Sequence, residues 1–253
     1  MKQDDRAPFD QALRRARETA YGPDEYVEQE SLMRAGEIRA LAERAGIATG
    51  GSVLDLCCGV AGPGRLVTRE RGCGYLGIDQ SAGAIDIARE RAGGLSCRFE
   101  VAQVPPLPPG TFDVVLLLET MLAFRDKAAL LQGVSGALAA GGRFAFTMEE
   151  GLPLTGPERE RMPDADTVWL TPAADMRSLL ERVGLVVRWE DDWSGAHRAV
   201  ADALVDAFAA DATAIAARIG RRALDELVAS HRLWSEWLET GRVRKIAFVA
   251  EKP

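Results

Sequence analysis

The sequence contains few cysteines and few histidines, four and two respectively among 253 residues. Cys57, Cys58, Cys73 and Cys97 include no C-x-x-C pair. Since that spacing is typical of zinc ligands and is absent here, we predict no metal. Unpaired thiols are typical of a reducing compartment, which favours the cytoplasm.

Long apolar runs and an excess of positive charge are also missing. No run approaches the roughly 18 apolar residues that span a bilayer, and residues 1–6 carry too many charges for a secretory signal. The formal net charge of -7 argues against a broad nucleic-acid surface, which needs a basic face. We therefore expect a cytoplasmic protein whose partners include neither a membrane nor a nucleic acid. The apolar share of 47% fits a large globular domain.

The most informative pattern lies at residues 53–66. A short apolar run that contains Asp55 comes first, mainly small residues fill positions 57–62, and a second apolar face begins at Leu66. This order predicts a buried strand, a tight loop and a helix, with Pro63 in the first turn of the helix. Glycines let the backbone approach a ligand closely, and a helix N-terminus offers unpaired N–H groups. We therefore expect a ligand-binding loop here.

The glycines of this loop do not have the dinucleotide-binding spacing Gly-x-Gly-x-x-Gly, because they fall at positions 59, 62 and 64. Asp55 would also repel a pyrophosphate, whereas it can accept hydrogen bonds from an ammonium group. The stretch Val-Leu-Asp-Leu-Cys-Cys-Gly-Val-Ala at 53–61 instead resembles the first motif of class I S-adenosylmethionine-dependent methyltransferases, commonly Val-Leu-Asp-Leu-Gly-Cys-Gly-Thr-Gly. The chain departs from that motif at Cys57 and Ala61. This leaves open whether the backbone at 61 or at 62 lies nearest the methionine moiety.

A second acid, Asp79, follows the next apolar run, 24 positions after Asp55. This is close to the spacing of about 20 residues at which an acid meets the ribose in nucleotide-binding folds. The alternative is a turn or capping residue. The resemblance implies that Asp79 binds the ribose and that Asp55 holds the methionine ammonium, directly or through water.

The adenine side of the site is predicted from residues 102–108, which read Ala-Gln-Val-Pro-Pro-Leu-Pro. They resemble the family's Gly-Asp-Ala-x-x-Leu-Pro stretch, whose acid and following backbone N–H hold adenine. Gln103 replaces the acid, and its amide can both donate and accept hydrogen bonds. Glu119 follows a fourth apolar run. It is predicted either to face the cofactor or the acceptor, or to belong to a structural ion pair. The predicted cofactor-binding residues are Tyr26, Gln29, Asp55, Cys57, Gly59, Asp79, Gln80, Ala102, Gln103, Val104 and Glu119.

Strands and helices alternate along the chain, which predicts a mostly parallel α/β sheet. The resemblance implies a seven-stranded, Rossmann-like methyltransferase sheet with a reversed last strand and a helical cap inserted before that strand. We expect three parts: an N-terminal helical lid segment at 1–46, a cofactor-binding domain at 47–191 plus 243–253, and a substrate cap at 192–242. A helix is predicted at 24–45, because apolar residues recur on one face. Tyr26 and Gln29 are interpreted either as lid contacts or as the start of a surface helix.

The acceptor should lie under the cap. All five tryptophans follow residue 168, which favours either a pocket for an apolar or aromatic molecule or an interface between cap and core. Asp192-Trp193-Ser194 resembles the Asp-Trp-Ser before a similar insert in small-molecule methyltransferases such as those acting on tocopherols. His197 and Glu149 are the candidate general bases by position. The predicted substrate-binding residues are Trp169, Trp193, His197 and Trp234.

These patterns predict a methyltransferase that uses S-adenosylmethionine, releases S-adenosylhomocysteine, and acts on a small, largely apolar or aromatic metabolite. The sequence does not distinguish oxygen, nitrogen or carbon as the methylated atom. A protein that keeps the cofactor as a scaffold, such as a cyclase, is the main alternative. A protein or RNA methyltransferase and a nicotinamide-dependent oxidoreductase are further ones. A homodimer is left open.

Overall fold

The computed structural model describes residues 11–163 and 165–253, in which strands and helices alternate as predicted. The strands are β1 (Ser52–Leu56), β2 (Gly74–Asp79), β3 (Cys97–Val101), β4 (Phe112–Leu117), β5 (Leu138–Glu150), β6 (Val186–Asp192) and β7 (Arg244–Glu251). The helices of the described residues are α1 (Gln11–Tyr21), α2 (Ala35–Arg44), α3 (Gly62–Arg71), α4 (Ala82–Arg91), α5 (Lys127–Ala137), α6 (Gly156–Arg161), α7 (Ala173–Arg182), α8 (Ser194–Ala210), α9 (Ala212–Ile219) and α10 (Arg221–Thr240). Short 3-10 turns cover Met121–Ala123 and Ala165–Thr167.

The strands form one seven-stranded sheet with the order β3-β2-β1-β4-β5-β7-β6. Neighbours from β3 to β5 pair in parallel, whereas β7 is antiparallel to both β5 and β6. The central strands are apolar runs buried on both faces, as a sheet covered by helices requires. This topology confirms the predicted fold class, including the reversed last strand and the helices that precede it.

The predicted helix at 24–45 is wrong over its first half, since α2 begins only at Ala35. Residues 22–34, which we call the strap, are irregular, and Asp24 and Glu28 have φ near +60°. The buried Gln29 side chain supplies hydrogen bonds that a helix would have made with its own backbone. Its oxygen accepts from Val27 N (2.6 Å), and its nitrogen donates to the carbonyls of Glu25 (3.0 Å) and Met33 (2.7 Å).

Helices α8, α9 and α10 form the insert between β6 and β7, and they pack with α1. Leu13 and Ala16 of α1 share an apolar cluster with Leu204 and Phe208 of α8. A second cluster joins α10 to the segment after β5, through residues such as Trp237 and Met162. The first ten residues of the predicted segment 1–46 lie outside the described residues, and the division of the chain into three parts remains a prediction. In the described part of the chain, no helix combines the length and apolar character needed to cross a bilayer.

Candidate functional site

A cavity of about 440 Å³ lies at the carboxyl ends of β1, β2, β3 and β4, where doubly wound sheets bind ligands. Residues from these four strand ends and from the strap enclose it. The lining residues are Glu28, Gln29, Glu30, Ser31, Asp55, Cys57, Cys58, Gly59, Val60, Pro63, Asp79, Gln80, Ala102, Gln103, Val104, Leu118, Glu119, Thr120, Ala123 and Phe124. The structure thus brings together all the predicted cofactor-binding residues except Tyr26.

The loop between β1 and α3 forms one wall of this first cavity. Cys57, Gly59 and Ala61 all have φ between 55° and 58°, so the loop folds tightly before α3 begins at Gly62. A Cβ added to Gly59 would meet no protein atom within 4 Å, so a side chain here would extend into open space. Glycine at this position therefore keeps space beside the backbone available to a ligand.

Asp79 links the two ligand-facing turns. Its Oδ2 accepts a hydrogen bond from Gly59 N (2.9 Å) and its Oδ1 accepts one from Ser81 N (2.8 Å). Ser81 in turn caps α4 by accepting from Ala84 N. Each oxygen of Asp79 keeps a second lone pair for a ligand. The turn-residue interpretation and the ligand-binding interpretation of Asp79 are therefore compatible.

Asp55 is buried at the base of the cavity, where its Oδ2 accepts a hydrogen bond from the Tyr75 hydroxyl (2.5 Å). Burial, with a smaller contribution from the nearby Asp79, raises the pKa of Asp55 to about 7, against the lowering effect of the Tyr75 bond. A cation that enters the cavity would favour the ionised carboxylate. Asp55 is thus positioned to ionise when a positively charged ligand binds.

The strap closes the cavity from the side of α1. Glu28 makes ion pairs with Arg14 of α1, Arg65 of α3 and Arg91 of α4. A Cβ on Gly62 would overlap the strap backbone at Val27 and Glu28, so glycine permits this close approach. Gln29 lines the cavity, yet its amide is engaged with the strap backbone.

Tyr26, predicted as a cofactor contact, is not among the residues that line the cavity. Its ring packs against Tyr21 with ring centroids 5.5 Å apart, and it belongs to the cluster that joins α1 to the cap. Tyr26 therefore packs with α1 and the cap and does not line the first cavity.

A second cavity, of about 480 Å³, lies between the sheet, the strap and the cap. Glu30, Ser31 and Glu119 line both cavities, so the two adjoin there. The remaining lining contains both apolar and polar side chains. Its residues are Arg17, Tyr21, Leu32, Leu122, Glu149, Met162, Pro163, Thr167, Val168, His197, Leu204, Leu227, Ser230, His231, Trp234, Leu238, Val243 and Lys245.

A buried ionic cluster forms the polar wall. The Lys245 ammonium lies 2.7 Å from Glu119 Oε1 and also donates to Glu149 Oε1. Burial acts to lower the pKa of Lys245, but the two carboxylates outweigh it and raise that pKa. Burial raises the pKa of Glu149, whereas at Glu119 the charges of Lys245 and His197 outweigh burial and lower the pKa. Glu149 Oε2 is buried without a hydrogen-bond partner among the described residues.

His197 lines the second cavity and is fully buried. Its Nε2 lies 3.4 Å from Glu37 Oε2 and its Nδ1 lies 3.7 Å from Glu119 Oε2. Neither ring nitrogen makes a hydrogen bond with the described residues. The ring therefore lies between the carboxylates of Glu37 and Glu119.

Two of the predicted substrate-binding tryptophans lie outside both cavities. Trp169 packs its ring against the guanidinium groups of Arg125 and Arg159, while its carbonyl accepts from Lys127 Nζ (2.7 Å). Trp193 lies behind His197, with ring centroids 6.2 Å apart, and donates to Asp191 Oδ2. Trp169 and Trp193 therefore line neither cavity, whereas Trp234 does line the second cavity.

Sequence reasoning missed Lys245, Arg17 and Tyr21. A lysine on the apolar run of β7 could have marked an inward-facing charge, because β7 is buried on both faces. Arg17 and Tyr21 lie on α1, whose weak apolar stripe gave no indication of a cavity. His231 also lines the cavity, where its Nδ1 contacts the Leu227 carbonyl at 2.8 Å and burial lowers its pKa.

Known proteins resemble this chain over the region that forms the first cavity. A family model described as a methyltransferase domain matches residues 53–142. Phosphoethanolamine N-methyltransferase 1 of Arabidopsis thaliana is 35% identical over 109 residues, which are 42% of this chain and 22% of that protein. Sterol 24-C-methyltransferase of Eremothecium gossypii is 33% identical over 135 residues, 48% of this chain and 35% of that protein. The chain therefore spans less than half the length of these curated relatives.

The fold likeness extends over nearly the whole chain. Phosphoethanolamine N-methyltransferase 2 of Haemonchus contortus, solved with phosphomonomethylethanolamine and S-adenosylhomocysteine, has a TM-score of 0.81 and 20% identity. The match covers 98% of this chain and 59% of that one.

Together with the matched family model, this confirms the prediction of a class I, Rossmann-like methyltransferase domain of the S-adenosylmethionine-dependent type. The matched segment runs from the first residues of β1 to the middle of β5 and supplies most of the wall of the first cavity.

Proposed function

We propose that this protein transfers the methyl group of S-adenosylmethionine to a small-molecule acceptor. The observation that carries the proposal is the common wall of the two cavities, since Glu30, Ser31 and Glu119 line both. A cofactor in the first cavity and an acceptor in the second would meet there. Such an arrangement allows direct transfer between two bound molecules, which is catalysis by proximity and orientation.

The first cavity has the donor and acceptor groups that a sulfonium nucleoside requires. Asp79 would hold the ribose hydroxyls, Asp55 the methionine ammonium, and Gln103 the edge of adenine. The open space beside Gly59 supports this fit, because a ligand can lie directly against the loop backbone. When bound, S-adenosylmethionine would supply an electrophilic methyl group on a sulfur that leaves without charge.

The residues of the chain would align the acceptor and exclude water from it. Helices α8 and α10 contribute to the second cavity, whose apolar lining residues include Leu122, Val168 and Trp234. This supports an acceptor with a substantial apolar or aromatic part. If the attacking atom carries a proton, a ring nitrogen of His197 or Oε2 of Glu149 would accept it.

Calorimetry tests the cofactor half of the proposal. We expect S-adenosylhomocysteine to bind stoichiometrically and NAD to show no binding, because Asp55 disfavours a pyrophosphate. Methyl-labelled S-adenosylmethionine with a panel of hydroxylated, amino and acidic-carbon compounds then tests transfer. Stoichiometric cofactor binding without transfer to any compound of a broad panel would instead favour the scaffold role. Binding of NAD would contradict both the methyl-transfer role and the scaffold role.

A further inference from the structure

The polar wall of the second cavity has hydrogen-bond acceptors that no group of the described residues satisfies. Glu149 is only 8% exposed, and its Oε1 binds Lys245 while its Oε2 has no partner. Both ring nitrogens of the buried His197 also lack a partner, and in a neutral imidazole one of them is a donor and the other an acceptor. Because buried polar groups are almost always hydrogen-bonded, Glu149 Oε2 indicates a ligand that donates a hydrogen bond to it.

Carboxylates also outnumber permanent cations at this wall. Glu30, Glu119 and Glu149 line it together with Arg17 and Lys245. Arg17 is committed to Glu30, since its guanidinium contacts both oxygens of that carboxylate at 2.7 Å and 2.6 Å. Lys245 alone therefore faces two carboxylates, Glu119 and Glu149. Burial raises the pKa of Glu149, and an ammonium group on a ligand would favour its ionised form, because the opposite charge compensates the buried carboxylate.

We infer that the acceptor is an amine on an apolar body, and that its ammonium form is bound by Glu149 Oε2. This inference rests on the proposed function and specifies its substrate class. The apolar body would contact the apolar part of the lining, which is formed by Leu122, Met162, Val168, Leu204, Leu227, Trp234, Leu238 and Val243. Glu149 is thus an anchor for the acceptor and not only a partner of Lys245.

The chemistry balances with the groups that are present. The bound ammonium first gives one proton to Glu149 Oε2 or to a ring nitrogen of His197, which frees the nitrogen lone pair. That lone pair forms the new N–C bond while the electron pair of the breaking C–S bond stays on sulfur. The products are a methylammonium ion, S-adenosylhomocysteine and the proton on the enzyme, which passes to solvent when the products leave.

A hydroxyl compound and a carboxylate make poorer occupants of this wall. A hydroxyl donates one hydrogen bond and brings no charge, so the excess of carboxylates stays uncompensated. A carboxylate adds a further negative charge beside Glu119 and Glu149. The three classes are therefore separable with one matched set of probes that share the same alkyl chain.

The test is a ligand-observed NMR titration of hexylamine, 1-hexanol and hexanoate into protein saturated with S-adenosylhomocysteine, at pH 7.5. We expect hexylamine to bind at least tenfold more tightly than 1-hexanol, and hexanoate not to bind. Glu149→Gln should weaken hexylamine at least tenfold and 1-hexanol less than twofold. Glu43→Gln, which removes an exposed carboxylate from α2, is the matched control and should change neither.

Equal affinity for hexylamine and 1-hexanol would overturn the inference, as would the absence of hexylamine binding. The ratio in the unmodified protein decides the matter even if Glu149→Gln does not fold. Calorimetry with S-adenosylhomocysteine on the same sample separates the two proposals. Cofactor binding with no preference for the amine contradicts only this inference, whereas a preference for the amine without cofactor binding contradicts the proposed function and, with it, the role of the amine as methyl acceptor.

Discussion

The substitution Asp79→Asn should weaken the binding of S-adenosylhomocysteine by about a hundredfold. Both oxygens of Asp79 accept backbone N–H bonds, from Gly59 at 2.9 Å and from Ser81 at 2.8 Å. An asparagine amide keeps one accepting oxygen and directs an NH₂ group at the other backbone donor, which it cannot satisfy. The substitution therefore displaces the turn and also removes one of the two acceptors that we assign to the ribose.

The magnitude follows from the charge of the acceptor. Hydrogen bonds to charged groups contribute about 1.5–3 kcal/mol each, and the substitution weakens the two bonds to the ribose. A loss of about 3 kcal/mol corresponds to about a hundredfold increase in Kd. Calorimetric titration with S-adenosylhomocysteine measures this directly, and urea unfolding of the free protein shows whether the variant is folded.

Asp113→Asn is the matched control for the backbone role. Asp113 accepts hydrogen bonds from Ser52 N (2.7 Å) and Ser52 Oγ (2.8 Å), and these bonds lower its pKa. It lies at the amino end of β4, at the opposite edge of the sheet, and lines neither cavity. We expect a loss of stability with less than a twofold change in affinity. A folded Asp79→Asn protein that binds within threefold of the unmodified one would refute the ribose assignment.

Three further predictions concern the surroundings of the cavities. Burial raises the pKa of Asp55 from 3.8 to about 7. Between these pH values the folded, ligand-free protein therefore holds a proton that the unfolded chain has lost. The free energy of unfolding should fall by on the order of 4 kcal/mol as pH rises through this range. Asp55→Asn should remove this contribution to the slope in urea unfolding, and an unchanged slope would contradict the assignment. Lys245→Met leaves two buried carboxylates facing each other and should cost about 3–5 kcal/mol in thermal unfolding, part of which Glu149→Gln should restore; no recovery would argue against charge as the cause. Gly62→Ala should displace the strap and speed its proteolysis, whereas Gly136→Ala, whose added methyl meets nothing within 4 Å, should not; equal rates would show that the close approach at Gly62 is unimportant.

The sequence was most informative where local signals decide the structure. The loop at 57–61 and the acid at the end of β2 each follow from residues adjacent in the chain. Apolar runs of strand length predicted where the strands lie along the chain, and their alternation with helices predicted parallel pairing. For this reason most of the first cavity could be predicted from the sequence before its geometry was known.

The second cavity depends on contacts between distant parts of the chain, which no local pattern records. The strap is irregular because the Gln29 amide replaces helical hydrogen bonds. Apolar periodicity does not reveal a side chain that bonds to the backbone in this way. Tryptophans such as Trp169 and Trp193 are typical of ligand pockets. Here, however, two arginine side chains pack on the ring of Trp169, and the ring of Trp193 packs against His197. The partners of Lys245 lie 96 and 126 positions away, so its role appears only when β7 pairs with β5.

Glu119 shows how the two cavities are joined. Its φ of 60° is unfavourable for a residue other than glycine, by about 1–3 kcal/mol, and such strain persists only where the surroundings impose it. Thr147 supplies that constraint, because its hydroxyl oxygen accepts from Glu119 N at 2.7 Å and its proton is donated to Glu119 Oε1 at 2.9 Å. Lys245 holds the same oxygen, which leaves Oε2 toward the strap at Leu32 N. The strained backbone therefore places one carboxylate on the common wall, where a charge in either cavity would act on it, and this favours a role in transfer over a purely structural ion pair.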